Sequence, residues 1–192
     1  MFQHSKKKCI FALFFNPIFM KTRLISTFLS LAFLCGCLFS AQAQNGVFTN
    51  PILGGDYPDP TIMRDGEDYY MTHSAFDYVP GLVVFHSRDL VHWEPISAAL
   101  NTFLGSVWAP DICKYNGKYY IYFTVAFPSE AVRAKAGRDL KPGSRMNFVV
   151  SADSPYGPWS EPVDLGVANI DPCHVVGDDG QRWPASTLMP FA

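Results

Sequence analysis

Charge is scarce in this sequence, and neither sign dominates. Aspartate, glutamate, lysine and arginine make up 17% of the 192 residues, and the formal net charge is −2. The isoelectric point is about 6.2. Domains that bind nucleic acid through its phosphates carry a basic face and a high isoelectric point. The composition therefore gives no reason to expect a nucleic-acid partner.

Cysteine is rare beyond the first 43 residues. Three of the five cysteines fall within that segment, so Cys113 and Cys173 are the remaining pair. An oxidising compartment would permit them to form a disulfide, whereas two buried free thiols are the alternative. The sequence alone leaves both states open.

Aromatic residues, proline and glycine are what the sequence has in quantity. Aromatic side chains account for 15% of the chain, with 15 prolines and 14 glycines spread among them. Aromatic and β-branched runs separated by frequent turn residues favour β-strands. With 48% hydrophobic residues, the chain can build the core of one domain. We therefore predict an all-β domain.

The first 43 residues have the pattern of an export leader. From Met20, two basic residues precede an apolar run over residues 24–39, and the sequence Ala-Gln-Ala at 41–43 fits a cleavage site. We therefore expect residues 1–43 to be a leader with a signal peptide, with Met20 as the true start. The mature protein is then expected to be secreted or periplasmic.

Two alternatives to a cleaved signal stay open. The uncharged run continues to Gly46 and approaches the length of a membrane span. The tetrapeptide Leu34-Cys35-Gly36-Cys37 resembles a bacterial lipoprotein signal, which would anchor the protein at the cell surface through Cys37. Apart from a permanent span, membrane contact is expected only if Cys37 carries a lipid.

A weak repeat runs through the rest of the chain. Each copy has an aspartate near a proline, then a turn pair such as Asn116-Gly117, then a strand with aromatic residues. The aspartates of the three copies, Asp59, Asp111 and Asp171, are 52 and 60 residues apart. Such turn pairs between apolar runs indicate β-hairpins. The predicted strands are Tyr69–His73, Gly81–Ser87, Tyr119–Thr124, Asn147–Ala152 and one that starts at Arg182.

The repeat also predicts how the aspartates are arranged. Each copy would contain about four short strands, which is the composition of a β-propeller blade. The first strand of a blade lines the central channel, so an aspartate at the same place in each copy would face one axis. Pro58 and Pro60 fix the backbone on both sides of Asp59, as a preorganised functional carboxylate requires. Asp56, in the same segment, is interpreted as a turn former.

A series of short motifs follows in a fixed order over residues 50–183. They are Asn50-Pro51-Ile52-Leu53, Pro58-Asp59-Pro60-Thr61, Tyr69-Tyr70, Ser74-Ala75-Phe76 with Pro80-Gly81, His86-Ser87-Arg88-Asp89-Leu90 with Trp93, Trp108-Ala109-Pro110, Ser154-Pro155-Tyr156-Gly157-Pro158-Trp159 and Ile170-Asp171-Pro172. In this order they resemble glycoside hydrolase family 43, five-bladed β-propellers that include β-xylosidases, α-L-arabinofuranosidases and arabinanases. The resemblance implies that residues 44–192 are the truncated N-terminal part of such a domain, with about two and a half blades.

The resemblance also implies a chemistry and a set of site residues. Members of the family invert the anomeric centre, with Asp59 matching the general base and Asp171 matching the acid that tunes and orients the proton donor. Phe76 and Trp108 match aromatic positions that line the sugar subsite, and Asp111 is expected at the rim of the channel. A retaining mechanism stays open, because the separation of the two carboxyl groups decides between the two outcomes.

The proton donor of the family is a glutamate beyond the hairpin that opens the third blade. Residues 181–192 contain no glutamate, so the general acid is absent from this chain. Pro184 and Pro190 would also interrupt the expected strand. We therefore expect a truncated or frame-shifted reading frame from about Trp183. The alternative to an active glycosidase is a catalytically inactive fragment or a carbohydrate-binding propeller.

The expected ligand is a plant cell-wall polysaccharide or oligosaccharide that contains xylose or arabinose. No cofactor and no metal are expected, because the histidines outside the leader do not have the spacing of metal ligands. Those histidines are His73, His86, His92 and His174. Some relatives in the family carry an axial calcium, but no residue in this sequence argues for one.

Overall fold

The computed structural model describes residues 48–187. The predicted leader over residues 1–43, with Cys37, lies outside the described residues, as does Pro190. Within the described part, no helix is both long enough and apolar enough to cross a lipid bilayer.

The first blade is a four-stranded antiparallel sheet with its strands in chain order. They are β1 (Thr61–Asp65), β2 (Asp68–Thr72), β3 (Gly81–Ser87) and β4 (Glu94–Leu100). Gly66, with φ of 64°, closes the tight turn between β1 and β2. The strands predicted near residues 69 and 81 are confirmed.

The second blade repeats this arrangement. Its strands are β5 (Ser106–Tyr115), β6 (Lys118–Ala126), β7 (Arg145–Ala152) and β8 (Val163–Asp164). Asn116 and Gly117 have φ of 47° and 79°, the two positive values that a type I′ hairpin turn needs. A short helix, α1 (Glu130–Lys135), lies between β6 and β7, and the hydroxyl of its N-cap Ser129 accepts a hydrogen bond from the Val132 N–H.

The third sheet is the hairpin of β9 (Ile170–Val176) and β10 (Arg182–Thr187). Strand β5 contacts both β1 and β9, so the first strands of successive sheets are neighbours, as in a propeller. The prediction of about two and a half blades is confirmed. The expected interruption of β10 at Pro184 is wrong: the strand runs through Pro184, because it is the edge strand of this hairpin and an edge tolerates a missing N–H.

The core lies between the blades and is built from the apolar faces of their strands. Leu82 and Val84 of β3 and Ile121 and Phe123 of β6 have no exposed surface. Such complete burial of branched and aromatic side chains is the main source of stability in a domain of this size. The described residues therefore form a packed core although their blades do not close into a ring.

The segment that follows β7 joins the two blades at their outer edge. Ser97 of β4 donates a hydrogen bond to the carbonyl oxygen of Pro155 at 2.7 Å. The Trp159 indole Nε1–H in turn donates to the Ser97 Oγ at 3.2 Å. The sequence motif over residues 154–159 is therefore the part of the second blade that docks on the last strand of the first.

Cys113 and Cys173 are both free thiols. Cys113 is buried in β5, and burial raises the pKa of its thiol to about 12. A thiol with so high a pKa carries almost no thiolate at neutral pH and is a poor nucleophile. Of the two states that the sequence left open, the structure has the reduced one, and Cys113 acts as a small apolar core residue.

A polar cluster centred on Asp65 joins the inner strands of the two blades. Asp65 Oδ2 accepts hydrogen bonds from the Lys114 Nζ and from the Tyr119 hydroxyl, each at 2.6 Å. The hydrogen bond from Lys114 is the largest influence that lowers the pKa of the Asp65 carboxyl, followed by the one from Tyr119. The ionised carboxylate is therefore the form that the folded state prefers.

We expect Asp65→Asn to destabilise the protein in a pH-dependent way. A carboxyl whose pKa is lowered on folding contributes stability above its unfolded pKa of about 4, and that contribution disappears as the pH falls through the lower folded value. Because 31% of the side chain is exposed, solvent screening limits the loss to about 0.5–1 kcal/mol at pH 7. Urea unfolding at pH 7 and pH 3 measures the difference, with the exposed Asp139→Asn as matched control. A loss of the same size at both pH values would contradict this role of Asp65.

Candidate active site

Asp59 is held in an unusual backbone conformation at the entrance to β1. Its φ is 49°, a value that few residues other than glycine adopt, and prolines flank it on both sides. The residue is exposed, and the hydroxyl of Ser74 donates a hydrogen bond of 2.6 Å to its Oδ2. The carboxylate is therefore fixed by its own backbone and by a side chain 15 residues further along the chain.

Ser74 fixes that carboxylate because it is itself fixed on two sides. Its N–H donates to the carbonyl oxygen of Pro58 at 2.9 Å, and its Oγ accepts from the Ala109 N–H at 2.7 Å. Only 2% of Ser74 is exposed. With the Ala109 N–H pointing at the oxygen, the Ser74 hydroxyl hydrogen is directed to Asp59. A buried serine thus connects the carboxylate of the first blade to the backbone of the second.

The structural repeat differs from the one predicted from the sequence. Asp59, Ala109 and Asp171 have φ of 49°, 34° and 56°, and each directly precedes a proline at an inner strand. Ala109, and not Asp111, is therefore the counterpart of Asp59 in the second blade. The predicted equivalence of Asp111 is wrong: it stands two residues beyond Ala109, and a bulge between Trp108 and Asp111 places one extra residue in the ladder of β5.

Asp171 is the second residue of β9 and is exposed. It shares the positive φ and the following proline with Asp59, so the two carboxylates occupy the same place in the first and third blades. Strand β5 lies between β1 and β9 and contacts both. The two predicted catalytic aspartates therefore stand at equivalent entrances on either side of one inner strand.

Asp111 lies further along β5 and is only partly exposed. Its Oδ2 is 3.9 Å from the Nδ1 of His174 in β9, and that nitrogen is buried without a hydrogen-bond partner among the described residues. Burial raises the pKa of the Asp111 carboxyl, and the neighbouring His174 opposes part of this rise. The group sits between two inner strands, and its assignment to substrate binding remains a prediction.

Three aromatic side chains border the same end of the second blade. Phe76 exchanges two backbone hydrogen bonds of 2.9 Å with Val107, which places it beside Trp108. The Trp108 ring meets the edge of Phe127 at a centroid distance of 5.9 Å, and the Arg145 guanidinium lies 5.7 Å from its centre. Phe76 is 38% exposed and Phe127 is 57% exposed. Exposed aromatic rings at one edge can stack on the C–H faces of a sugar.

A cavity of about 260 Å³ opens next to Ser74 and Phe76. Tyr57, His73 and Phe85 form its inner wall, and their rings contact one another edge-on or tilted. The volume is close to the lower end of the range for small-molecule sites, which begins at about 300 Å³. The cavity therefore has the size for one small sugar unit. Asp59 does not line it, but its chain neighbour Pro58 and its hydrogen-bond donor Ser74 do.

Comparison with known proteins assigns the family. The sequence profile of glycosyl hydrolases family 43 matches residues 48–187, which is the whole of the described region. This chain belongs to glycosyl hydrolases family 43. The five-bladed propeller of that family accounts for the two blades and the additional hairpin.

Named relatives of this family 43 chain come from both branches that the sequence suggested. A non-reducing end α-L-arabinofuranosidase of Bacteroides ovatus is 39% identical over 136 residues, which are 65% of this chain and 23% of the relative. A β-xylosidase of Bacillus subtilis is 34% identical over 150 residues, which are 73% of this chain and 26% of the relative. The chain thus spans about a quarter of the length of the curated relatives that it matches.

Solved structures of the family agree with the fold of this chain. The GH43 protein BlXynB of Bacillus licheniformis superposes with a TM-score of 0.62 at 38% identity, over 73% of this chain and 29% of that protein. A xylan β-1,4-xylosidase of Bacillus halodurans superposes with a TM-score of 0.58 at 34% identity, over 72% of this chain and 27% of that enzyme. The resemblance to family 43 read from the sequence motifs is confirmed.

Sequence reasoning missed two residues of this candidate site. Ser74 belongs to the motif Ser74-Ala75-Phe76, but its role depends on a hydrogen bond that it accepts from the Ala109 N–H, 35 residues away. Phe127 directly follows β6 and has a φ of 51°, and no sequence pattern predicts this backbone conformation. Among residues 48–187, no group of three or more histidine, cysteine or acidic side chains is arranged to hold a metal ion.

Proposed function

We propose that the protein is a glycosidase that hydrolyses O-glycosyl bonds in xylose- or arabinose-containing polysaccharides or oligosaccharides with inversion of the anomeric carbon. The observation that carries this proposal is the exposed Asp59 carboxylate, which is fixed by its backbone and by the 2.6 Å hydrogen bond from Ser74. Membership of family 43 and the names of the xylosidase and arabinofuranosidase relatives support it.

In this proposal Asp59 is the general base. Its Oδ2 is occupied by the Ser74 hydroxyl, which leaves Oδ1 to accept a proton from a water molecule. That water then attacks the anomeric carbon as the glycosidic bond breaks, and its oxygen ends on the opposite face of the sugar ring. The hydrogen bond orients the base before substrate arrives, so reorganisation during the reaction is small.

The leaving sugar oxygen must also receive a proton, and this proton does not come from the attacking water. In our proposal it comes from a carboxylic acid held about 6.5–9.5 Å from the base, the separation that leaves room for the attacking water. The 192 residues contain no glutamate at the place where the family resemblance expects this donor, and Asp171 is assigned to tuning and orienting it. A neighbouring carboxylate raises the pKa of a proton donor, which keeps the donor protonated near neutral pH.

Location is a second part of the proposal. We propose that the protein acts outside the cytoplasm, on the strength of the basic, apolar and small-residue pattern over residues 20–43. N-terminal sequencing of the protein recovered from the medium, the periplasm and the membrane fraction tests it. A cytoplasmic protein with an intact leader would overturn this part without affecting the chemistry.

The function is tested with substrates that do not need a proton donor. The dinitrophenolate ion leaves without protonation, so 2,4-dinitrophenyl β-xyloside and the corresponding α-arabinofuranoside report on the base even without a general acid. Proton NMR of the first product from the xyloside should show α-xylose. Initial formation of β-xylose would demonstrate retention and overturn the inverting mechanism. Binding of xylotriose without any hydrolysis would favour a carbohydrate-binding propeller over an enzyme.

A further inference from the structure

A second and larger cavity lies beside Arg145, the first residue of β7. It has a volume of about 500 Å³ and lies between the residues that precede β7 and the turn that leads into β9. It is lined by Leu140, Lys141, Gly143, Ser144, Arg145, Ala168 and Asn169. Arg145 connects it to Trp108, and Asn169 stands two residues before Asp171. The cavity is therefore linked to Trp108 through Arg145 and lies close along the chain to Asp171.

The charge of this cavity has one sign. Its lining contains two cations, Lys141 and Arg145, and no aspartate or glutamate. Neither cation forms an ion pair with an acidic side chain anywhere in residues 48–187, whereas the nearby Arg138 is paired with Asp164 at 2.8 Å. Two uncompensated cations at one concave surface create a positive potential that attracts an anion.

Arg145 is held in place without being neutralised. Its guanidinium lies over the Trp108 ring, 5.7 Å from the centroid, and its Nη1 donates a weak hydrogen bond of 3.4 Å to the Gly143 carbonyl oxygen. Stacking on an aromatic face orients the planar group and preserves its charge. The other N–H groups of the guanidinium thus remain to bind two oxygens of a planar anion at once.

Ser144 adds a neutral donor to the two cations. Its Oγ accepts a hydrogen bond from the Lys141 N–H at 3.0 Å. The hydroxyl hydrogen is therefore free to be donated to a ligand in the cavity. A guanidinium, an ammonium and a hydroxyl form a donor set that suits a carboxylate.

We propose that this cavity is a subsite for a sugar unit that carries a carboxylate, that is, a hexuronic acid unit of the substrate. The carboxylate would bind the guanidinium of Arg145 through two parallel hydrogen bonds, with Lys141 as a second cation. The neutral sugar next to it in the chain would stand at Trp108. This inference rests on the proposed function, because a carbohydrate chain must pass Trp108 to bring an acidic unit to the cavity.

Isothermal titration calorimetry on the full chain tests the proposal with two matched ligands. One is xylotriose that carries a single glucuronic acid substituent, and the other is unsubstituted xylotriose. A charge-assisted pair should make the acidic ligand bind at least about tenfold more tightly at low salt. The advantage should shrink as sodium chloride is raised to 0.5 M, since salt screens the attraction.

Three variants separate the subsite from the rest of the site. Lys141→Gln should remove part of the advantage of the acidic ligand while the affinity for unsubstituted xylotriose stays the same. Arg145→Gln should remove most of that advantage. Arg138→Gln, whose side chain is already paired with Asp164, should leave the advantage intact. Lys141 has no contact with the Trp108 ring, so its variant keeps the test valid if Arg145→Gln disturbs that ring.

The outcomes are distinguishable. Equal affinity for the two ligands in the wild type overturns the acidic subsite and leaves the proposed glycosidase function standing. Absence of binding by either ligand in a folded sample overturns both proposals. Inorganic phosphate that displaces the acidic ligand at the same concentration as free glucuronic acid would show a general anion site, and it too would overturn the assignment to a sugar acid.

Discussion

Hydrolysis of 2,4-dinitrophenyl β-xyloside should fall by about 10²–10⁴-fold in Asp59→Asn, the usual loss when a general base is removed. The amide has nearly the shape of the carboxylate, and its oxygen still accepts the hydrogen bond from Ser74 Oγ. The backbone at this position, with its φ of 49°, is also compatible with asparagine. The loss is therefore expected in kcat rather than in KM or in the melting temperature.

Two further variants compare how much Asp59 and its neighbours contribute to activity. Ser74→Ala removes the hydrogen bond to the carboxylate but not the base, and we expect a loss of about tenfold in kcat/KM. Asp153→Asn changes an exposed carboxylate that follows β7 at the end opposite to Arg145, and its activity should equal that of the wild type. Steady-state rates of the three variants, measured beside their melting curves, check the order. Full activity of Asp59→Asn would remove Asp59 from the mechanism.

The largest effect on stability is expected from Gly105→Ala. Gly105 has φ of 143°, and an added Cβ would lie 2.8 Å from the carbonyl oxygen of Phe127 and 2.9 Å from that of Ala126. Backbone strain and overpacking each cost about 1–3 kcal/mol, and neither carbonyl can move without shifting the end of β6. We expect the free energy of unfolding in urea to fall by about 2–5 kcal/mol.

Other glycines provide graded controls for that measurement. Gly117 also has a positive φ, 79°, but a Cβ there would meet no atom within 4 Å, so Gly117→Ala should cost about 1 kcal/mol from strain alone. Gly54 has no positive φ, and a Cβ there would meet no atom within 4 Å. The free energy of unfolding of Gly54→Ala should therefore lie within about 0.5 kcal/mol of the wild-type value. If Gly105→Ala were no worse than Gly117→Ala, the close approach of the Phe127 carbonyl would be refuted.

Strands of the two blades could be predicted from the sequence because turn residues between apolar runs mark them locally. Asn116-Gly117 between apolar runs favours a tight hairpin, and the strand predicted over Tyr119–Thr124 lies within β6. The same applies to Asp59, since the prolines on either side restrict the backbone without help from distant residues. Local steric rules therefore sufficed for the strands predicted in the two full blades and for the fixed backbone at Asp59.

The parts that were missed depend on contacts that no local rule encodes. The bulge in β5 adds one residue between Trp108 and Asp111, and matching aspartates near a proline selected Asp111 where the backbone places Ala109. Phe127 reaches Trp108 only after β5 and β6 have paired. Pro184 was expected to interrupt its strand, but β10 runs through it. The effect of a proline depends on whether its strand lies at the edge of a sheet, and the local sequence does not show this.

The bridge from Ala109 through Ser74 to Asp59 also bears on the order in which the molecule is made. A ribosome releases the first blade, with Asp59 and Ser74, before Ala109 has been synthesised. Until β5 arrives, the Ser74 hydroxyl lacks the donor that directs its hydrogen to the carboxylate. One blade alone thus leaves the Asp59 carboxylate without a directed hydrogen bond. A pair of blades is the smallest module that could be transplanted with this bond in place.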